Sequence, residues 1–137
     1  MTSIAVVASE FNQAIVDEML KHAIAAAKKR KITIAKTIRV PGAYDAPLAV
    51  KKLLERRDIS AVAVIGAIIT GETKHDELIA GALANALTAL SLQYEKPVTL
   101  GVIGPGATYA MAKARAKGYA ERAVTGAGKM AEEVQKI

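Results

Sequence analysis

The sequence predicts a three-layer α/β fold, in which helices cover both faces of a doubly wound, four-stranded parallel sheet. Short apolar runs alternate with amphipathic stretches along all 137 residues, in the order β-α-β-α-β-α-β-α. Such alternation is typical of parallel strands joined by right-handed crossovers. Hydrophobic residues make up 52% of the chain, which allows a buried core. Because no repeat, low-complexity tract or linker divides the sequence, we expect one domain over residues 1–137.

The first half of the chain contains two predicted strands and two predicted helices. A short apolar run gives the first strand, and Asn12 is the expected N-cap of the helix that follows it. The second strand alternates apolar and polar residues, which indicates one wetter face, and it stops at Pro41-Gly42. The predicted elements are strands 4–8 and 32–40 and helices 13–29 and 45–56.

The second half of the chain repeats this alternation. Residues 61–69 form a continuous apolar run, which favours a central strand buried on both faces. A long helix is predicted over residues 74–93, and a fourth strand over residues 98–103. Gly104-Pro105-Gly106 is expected to break that strand and to open a last helix that continues to the end of the chain.

Four loops follow the predicted strands, and a site is expected there. Ligands of doubly wound sheets bind outside the carboxyl ends of the strands. These loops contain the only Phe, one of the four Tyr and one of the two His of the chain, with several Gly and Pro residues. That concentration predicts a functional edge. The loops are residues 9–12, 41–45, 70–76 and 104–108.

Several side chains in these loops could have either a structural or a ligand-binding role. Phe11 could fill the core or contact a ligand. Tyr44 offers a ring for stacking, whereas the carboxylate of Asp45 could bind a ligand or stabilise the start of a helix. Thr73 and Asp76 have the T-x-x-D spacing of a capping box.

The predicted start of the third helix also suits an anion and a proton transfer. Free backbone N–H groups at a helix N-terminus bind anions. His75 lies in the first turn and is either a proton shuttle or a solvated surface residue. His22, within the first helix, is expected to be structural. Arg115 on its own would be a surface residue, and Gly104-Pro105-Gly106 is a weak phosphate signal.

Composition excludes several classes of protein. Without cysteine, the chain has no disulfide, no thiol nucleophile and no cysteine metal ligand. The net charge of +6 suits small anionic substrates. The basic run 28–31 falls at a helix end, and stacking aromatics are scarce, so no nucleic-acid partner is expected. No signal peptide or membrane span is evident, which predicts a cytoplasmic protein with no membrane partner.

Three loop motifs together resemble the lumazine synthases in order and spacing. They are ASEFN at 8–12, VPGAYDAPLA at 40–49 and GAIITGETKHD at 66–76. The resemblance extends over nearly the whole chain, and the Gly-Pro-Gly at 104–106 is similar to archaeal members. It implies a flavodoxin-like fold and a transferase of riboflavin biosynthesis without metal or cofactor. The implied reaction condenses 5-amino-6-(D-ribitylamino)uracil with 3,4-dihydroxy-2-butanone 4-phosphate to 6,7-dimethyl-8-ribityllumazine, the penultimate step.

The resemblance also implies roles for individual residues. Phe11 would stack on the pyrimidine ring, which Ile68 and Ile69 would border. The phosphate would be bound by Gly71, by the backbone of Glu72 and by Thr73, with His75 moving protons. The ribityl pocket would be lined by Ala43, Tyr44 and Asp45.

Two further residues would complete the pocket of a neighbouring subunit. Leu100, at the predicted end of the fourth strand, matches a position that is usually Phe in bacterial members. Arg115 matches the phosphate-binding arginine if one residue is gapped near Gly104.

Asp45 stands where Glu is commoner, so its contact with the ribityl chain is expected to be shorter or bridged by water.

A pocket shared between subunits implies a homo-oligomer. The family forms pentamers, and some of these pack into icosahedral shells of sixty subunits, so we expect a pentamer with a shell as an alternative. Two other functions remain open from the sequence. One is an archaeal-type riboflavin synthase, which would need no phosphate site. The other is a non-catalytic or engineered cage subunit on the same scaffold.

Overall fold

A computed structural model describes residues 2–71 and 75–137, and within them the predicted order of strands and helices is confirmed. A single 3-10 turn precedes the second helix. The elements are β1 (Ser3–Ser9), α1 (Gln13–Lys29), β2 (Thr33–Val40), the 3-10 turn (Ala43–Asp45), α2 (Ala46–Leu54), β3 (Ala61–Ile69), α3 (His75–Tyr94), β4 (Val98–Ala107) and α4 (Tyr109–Gln135). No helix within these described ranges is long and apolar enough to cross a membrane.

The four strands form one parallel sheet in the order β2-β1-β3-β4. The central position predicted for β3 is confirmed, since it pairs with β1 on one side and β4 on the other. Eight of the nine residues of β3 are buried. A parallel strand covered on both faces is expected to be apolar throughout, which is why its sequence shows no alternation.

Helices cover both faces of the sheet, as the doubly wound flavodoxin-like fold requires. Alternate residues of β1 divide between two cores: Ile4 and Val6 pack with α1 and α4, whereas Ala5 and Val7 pack with α2 and the buried face of α3. This division follows from the two-residue period of side chains along a strand. Because all four strands are parallel, their carboxyl ends meet at one edge of the sheet, called the carboxyl edge below.

The prediction that Gly104-Pro105-Gly106 breaks β4 and opens the last helix is wrong. The strand continues to Ala107, which pairs with Ile69 after a register shift. Gly104 and Gly106 have φ of 109° and 83°, so the two glycines form a kink that few other residues could adopt. The last helix instead begins at Tyr109 and is capped by Thr108, whose hydroxyl accepts the Met111 N–H at 3.2 Å.

The prediction that the Asn12 side chain caps α1 is also wrong. Asn12 occupies the N-cap position, but its backbone is left-handed, with φ 61° and ψ 48°, and its side chain makes no capping bond in the described part of the chain. The side-chain Nδ2 instead donates to the carbonyl of Ala67 at 3.0 Å. Asn12 thus fastens the loop after β1 to β3 at the carboxyl edge.

Candidate active site

A cavity of about 340 Å³ opens at the carboxyl edge of the sheet. The loops after β1, β2 and β3 and the first turns of α3 all contribute to its wall. Most of the predicted site residues meet there, although they come from segments far apart in the sequence. The lining residues are Phe11, Gly42, Ala43, Tyr44, Ala67, Ile68, Ile69, Gly71, His75, Asp76 and Ile79.

Phe11 projects its ring into solvent at the mouth of this cavity. The residue is 71% exposed, so the interpretation of Phe11 as a core residue is wrong. Its backbone is nevertheless held in place: the Phe11 N–H donates to the Pro41 carbonyl at 3.0 Å, and the Glu10 N–H donates to Val40 at 2.7 Å. A large apolar ring on a fixed backbone is a ready surface for stacking against a flat ligand.

Tyr44 and Asp45 lie on the 3-10 turn that follows β2. Tyr44 is 65% exposed and borders both the first cavity and a second groove of about 500 Å³ between this turn and α3. Asp45 lines that second groove, and the described wall of the first cavity does not include it. The Asp45 carboxylate accepts the Gly42 N–H at 3.0 Å, so it also closes the 3-10 turn that precedes α2.

The inner wall of the cavity is apolar. Ile68 is buried, and Ile69 is half-buried at the end of β3. Gly71 follows them and lines the cavity, and His75, which is exposed, begins α3. The predicted phosphate contacts of Glu72 and Thr73, and the capping box of Thr73, lie outside the described residues.

Asp76 is the cavity residue whose role the sequence did not reveal. Its side chain is buried, and Oδ2 accepts the Gly106 N–H at 3.1 Å and the Thr70 hydroxyl at 3.4 Å. The spacing to Thr73 suggested only a local cap. The contact with Gly106 spans 30 residues and depends on the kink in β4, so no local pattern could have indicated it.

The two residues predicted to serve a neighbouring subunit lie elsewhere on the surface. Leu100 is 49% exposed and belongs to β4, an edge strand, on the same face as Val98 and Val102. Its predicted position at the end of the strand is wrong, because β4 continues to Ala107. Arg115 is exposed on α4. Neither residue is part of the described wall of the cavity in its own chain.

No side-chain cluster in residues 2–71 and 75–137 has three or more His, Cys, Asp or Glu groups placed for a metal ion. His22 lies away from the cavity, where its Nε2 is 3.4 Å from Glu18 one helical turn earlier. The described cavity therefore offers a stacking ring, an apolar wall, one imidazole and one fixed carboxylate. This set suits a flat ring and proton transfer.

Comparison with known proteins gives one family. The model of the 6,7-dimethyl-8-ribityllumazine synthase family matches residues 1–135. The synthase of Metallosphaera sedula is 47% identical over 132 residues, which cover 96% of this chain and 87% of that protein. The synthase of Saccharolobus solfataricus is 46% identical over 96% of this chain and 86% of its own length. That of Staphylothermus marinus is 48% identical over 95% of this chain and 87% of its own length. The chain therefore belongs to the 6,7-dimethyl-8-ribityllumazine synthase family.

Proposed function

We propose that the cavity at the carboxyl edge is where this chain condenses 5-amino-6-(D-ribitylamino)uracil with 3,4-dihydroxy-2-butanone 4-phosphate. Its family makes the chain a transferase of riboflavin biosynthesis that forms 6,7-dimethyl-8-ribityllumazine in the penultimate step. The observation that carries the location is the meeting of Phe11, Tyr44 and His75 around one cavity. The matched family and relatives give no support to a riboflavin synthase or a non-catalytic or engineered cage subunit.

The pyrimidine ring would lie between the exposed ring of Phe11 and the apolar wall of Ile68 and Ile69. Stacking and dispersion orient a flat ring and leave the polar atoms at its edge free to form hydrogen bonds. The ribityl chain would extend past Ala43 and Tyr44 into the second groove. Asp45 lines that groove and, in the described residues, Oδ1 accepts no hydrogen bond, so this oxygen is free for a ribityl hydroxyl.

The four-carbon phosphate would bind at the start of α3. Gly71, Glu72 and Thr73 would surround the phosphate with backbone N–H groups and a hydroxyl, as at other helix N-termini. The amine of the pyrimidine attacks the ketone and loses water to give an imine. Elimination of phosphate, ring closure and loss of a second water then give the lumazine. His75 would accept and return protons during these steps.

The proposed site is shared between subunits of a homo-oligomer. Leu100 and Arg115 would complete a neighbour's pocket, with Arg115 paired to the phosphate. A pentamer is the minimal unit of this arrangement, and a shell of sixty subunits would repeat it. The exposure of Leu100 and Arg115 outside their own chain's cavity supports this division. We place this assembly in the cytoplasm, with residues 1–137 acting as one domain.

A spectrophotometric assay of the purified chain with both substrates tests the proposal. Appearance of lumazine absorbance, with one phosphate released per product, is the expected result. Formation of riboflavin from lumazine would favour the riboflavin synthase instead. If a correctly assembled protein formed neither product, the proposed activity would be wrong. The butanone without its phosphate is the matched control and should react much more slowly, because the leaving group is missing.

A further inference from the structure

We propose that Asp76 is a positioning residue, whose carboxylate holds the start of α3, and with it His75, against the ends of β3 and β4. The inference rests on the proposed function, because it assumes that His75 transfers protons in this cavity. It adds a residue that the resemblance does not assign. Asp76 would act through His75 and would not itself exchange a proton with the substrate.

The geometry around Asp76 joins three elements through one oxygen atom. Oδ2 accepts the Gly106 N–H of β4 at 3.1 Å and the hydroxyl of Thr70, directly after β3, at 3.4 Å. The ends of these two strands are themselves joined, because the Thr70 N–H donates to the Ala107 carbonyl at 2.8 Å. The first turn of α3 is thus attached to a strand junction that is already hydrogen-bonded.

Because the Asp76 carboxylate is buried, it depends on the hydrogen-bond donors at this one position. Asp76 is 8% exposed, and a buried carboxylate is unfavourable unless donors or a helix N-terminus compensate its charge. Asp76 has both, since it is the second residue of α3 and receives two hydrogen bonds. Any shift of α3 along the sheet would separate the carboxylate from these donors.

His75 precedes Asp76 in the chain, and both side chains line the cavity. Holding Asp76 in place therefore also holds the backbone of His75, from which the imidazole extends. Proton transfer requires a heavy-atom approach near 3 Å, so small displacements of His75 reduce the rate strongly. Because Oδ2 already receives two donors, we assign Asp76 to positioning instead of proton transfer.

The test compares Asp76→Ala and Asp76→Asn in the assembled enzyme. A displacement of roughly 1 Å can lower a rate by about 100-fold, so we expect kcat of Asp76→Ala to fall roughly 10- to 100-fold. The KM for the pyrimidine should change little, because Phe11 and Ile68 remain. Asp76→Asn should recover most of kcat, since its amide oxygen accepts the Gly106 N–H, and its kcat–pH profile should keep the wild-type shape.

Glu77→Gln is the matched control, because Glu77 is the exposed acid next to Asp76 in the same turn. It should have wild-type kinetics. The inference would be overturned if Asp76→Ala kept the wild-type kcat. It would also be overturned if Asp76→Asn were as slow as Asp76→Ala and its kcat–pH profile had lost one limb. If Asp76→Ala does not fold, Thr70→Val, which removes one donor, should still lower kcat, and an unchanged kcat would count against us. A wild-type enzyme without lumazine synthesis would instead refute the proposed function.

Discussion

The residues at the mouth of the cavity have exposed side chains, whereas the loop after β1 that carries Phe11 is held by hydrogen bonds. Phe11 and Tyr44 are 71% and 65% exposed. The backbone of Phe11 is bonded to the end of β2, and the next residue, Asn12, is bonded to Ala67 of β3. A loop held in this way has little backbone entropy left to lose when a ligand binds.

Replacing His75 with alanine tests its proposed role in proton transfer. Loss of a general acid–base group typically lowers kcat by about 10²- to 10⁴-fold, and we expect a fall in that range from lumazine absorbance. The size distribution of the assembly should stay unchanged, because the substitution removes only one side chain from the wall of a cavity and leaves the packed cores intact. His22→Ala is the control, since His22 lies on α1 away from the cavity. Equal rates for the two variants would remove His75 from the mechanism.

Gly104 is the glycine that the kink of β4 requires most. Its φ is 109°, and a Cβ there would collide with the backbone carbonyl of Ile68. Gly106 has a φ of 83°, but none of the contacts of such a Cβ with the described residues is within 4 Å. Gly106→Ala should therefore be destabilised only by the left-handed backbone, about 1–2 kcal/mol.

Gly104→Ala should be destabilised by more than Gly106→Ala, because the backbone of Ile68 must also move. Denaturant unfolding of the two variants measures the difference. The displaced Ile68 should also raise the KM for the pyrimidine substrate in Gly104→Ala. Equal unfolding midpoints would show that β3 and β4 do not approach as closely as described.

At the scale of elements, α4 packs on the sheet through small side chains. Its buried residues are almost all alanine, together with Val124 and Gly128. Small residues let the helix approach the strands closely, and Gly101 of β4 is one point of close approach. A Cβ at Gly101 would lie 2.6 Å from the Cβ of Ala123 and 3.0 Å from the Val64 carbonyl.

Two glycines at this β4–α4 contact should respond to alanine in opposite directions. Gly101→Ala should destabilise the fold by about 1–3 kcal/mol, because neither the helix nor the strand has room for the methyl group. In Gly126→Ala the new Cβ would lie 3.7 Å from Thr99, which is ordinary contact. That variant should be more stable by about 0.5–1 kcal/mol, because alanine favours the helix.

Unfolding midpoints in urea at one protein concentration check both signs. A fixed concentration is needed because association shifts apparent stability. A neutral Gly101→Ala would indicate that α4 can move away from the sheet without loss, contrary to the close packing of Ala123.

At the scale of the whole molecule, several large apolar side chains lie on the surface. Leu48 and Leu78 are 67% and 70% exposed, and Leu92 is 75% exposed. A contiguous apolar patch is typical of a face that binds another protein, whereas single exposed apolar residues are normal on any surface. We expect the proposed assembly of identical subunits to bury apolar side chains of this kind, Leu100 on the edge strand among them.

Mixed assemblies test whether the site is shared between chains. His75→Ala and Arg115→Ala subunits are each expected to be nearly inactive when assembled alone. If His75 and Arg115 of one site come from different chains, a random one-to-one mixture restores about a quarter of the sites. Activity should therefore rise well above that of either variant after dissociation and reassembly.

A mixture no more active than the average of its two components would place both residues in one chain. Arg30→Ala, which removes an exposed arginine at the end of α1, is the control variant that takes the place of Arg115→Ala in the mixture with His75→Ala. Arg30→Ala alone should keep wild-type activity, and its mixture with His75→Ala should be half as active as the wild type.

The sequence by itself determined the order of the elements, the central place of β3 and the edge at which the cavity opens. These features depend on local periodicity and on the rule that parallel strands end at one edge, so Phe11, Tyr44 and His75 could be named in advance. Only the tertiary structure decided that β4 continues past Gly104 and that the Asp76 carboxylate meets Gly106. Both depend on pairing between segments distant in the chain, and β3 is apolar throughout, so it has no alternation of polar and apolar residues that could specify this pairing.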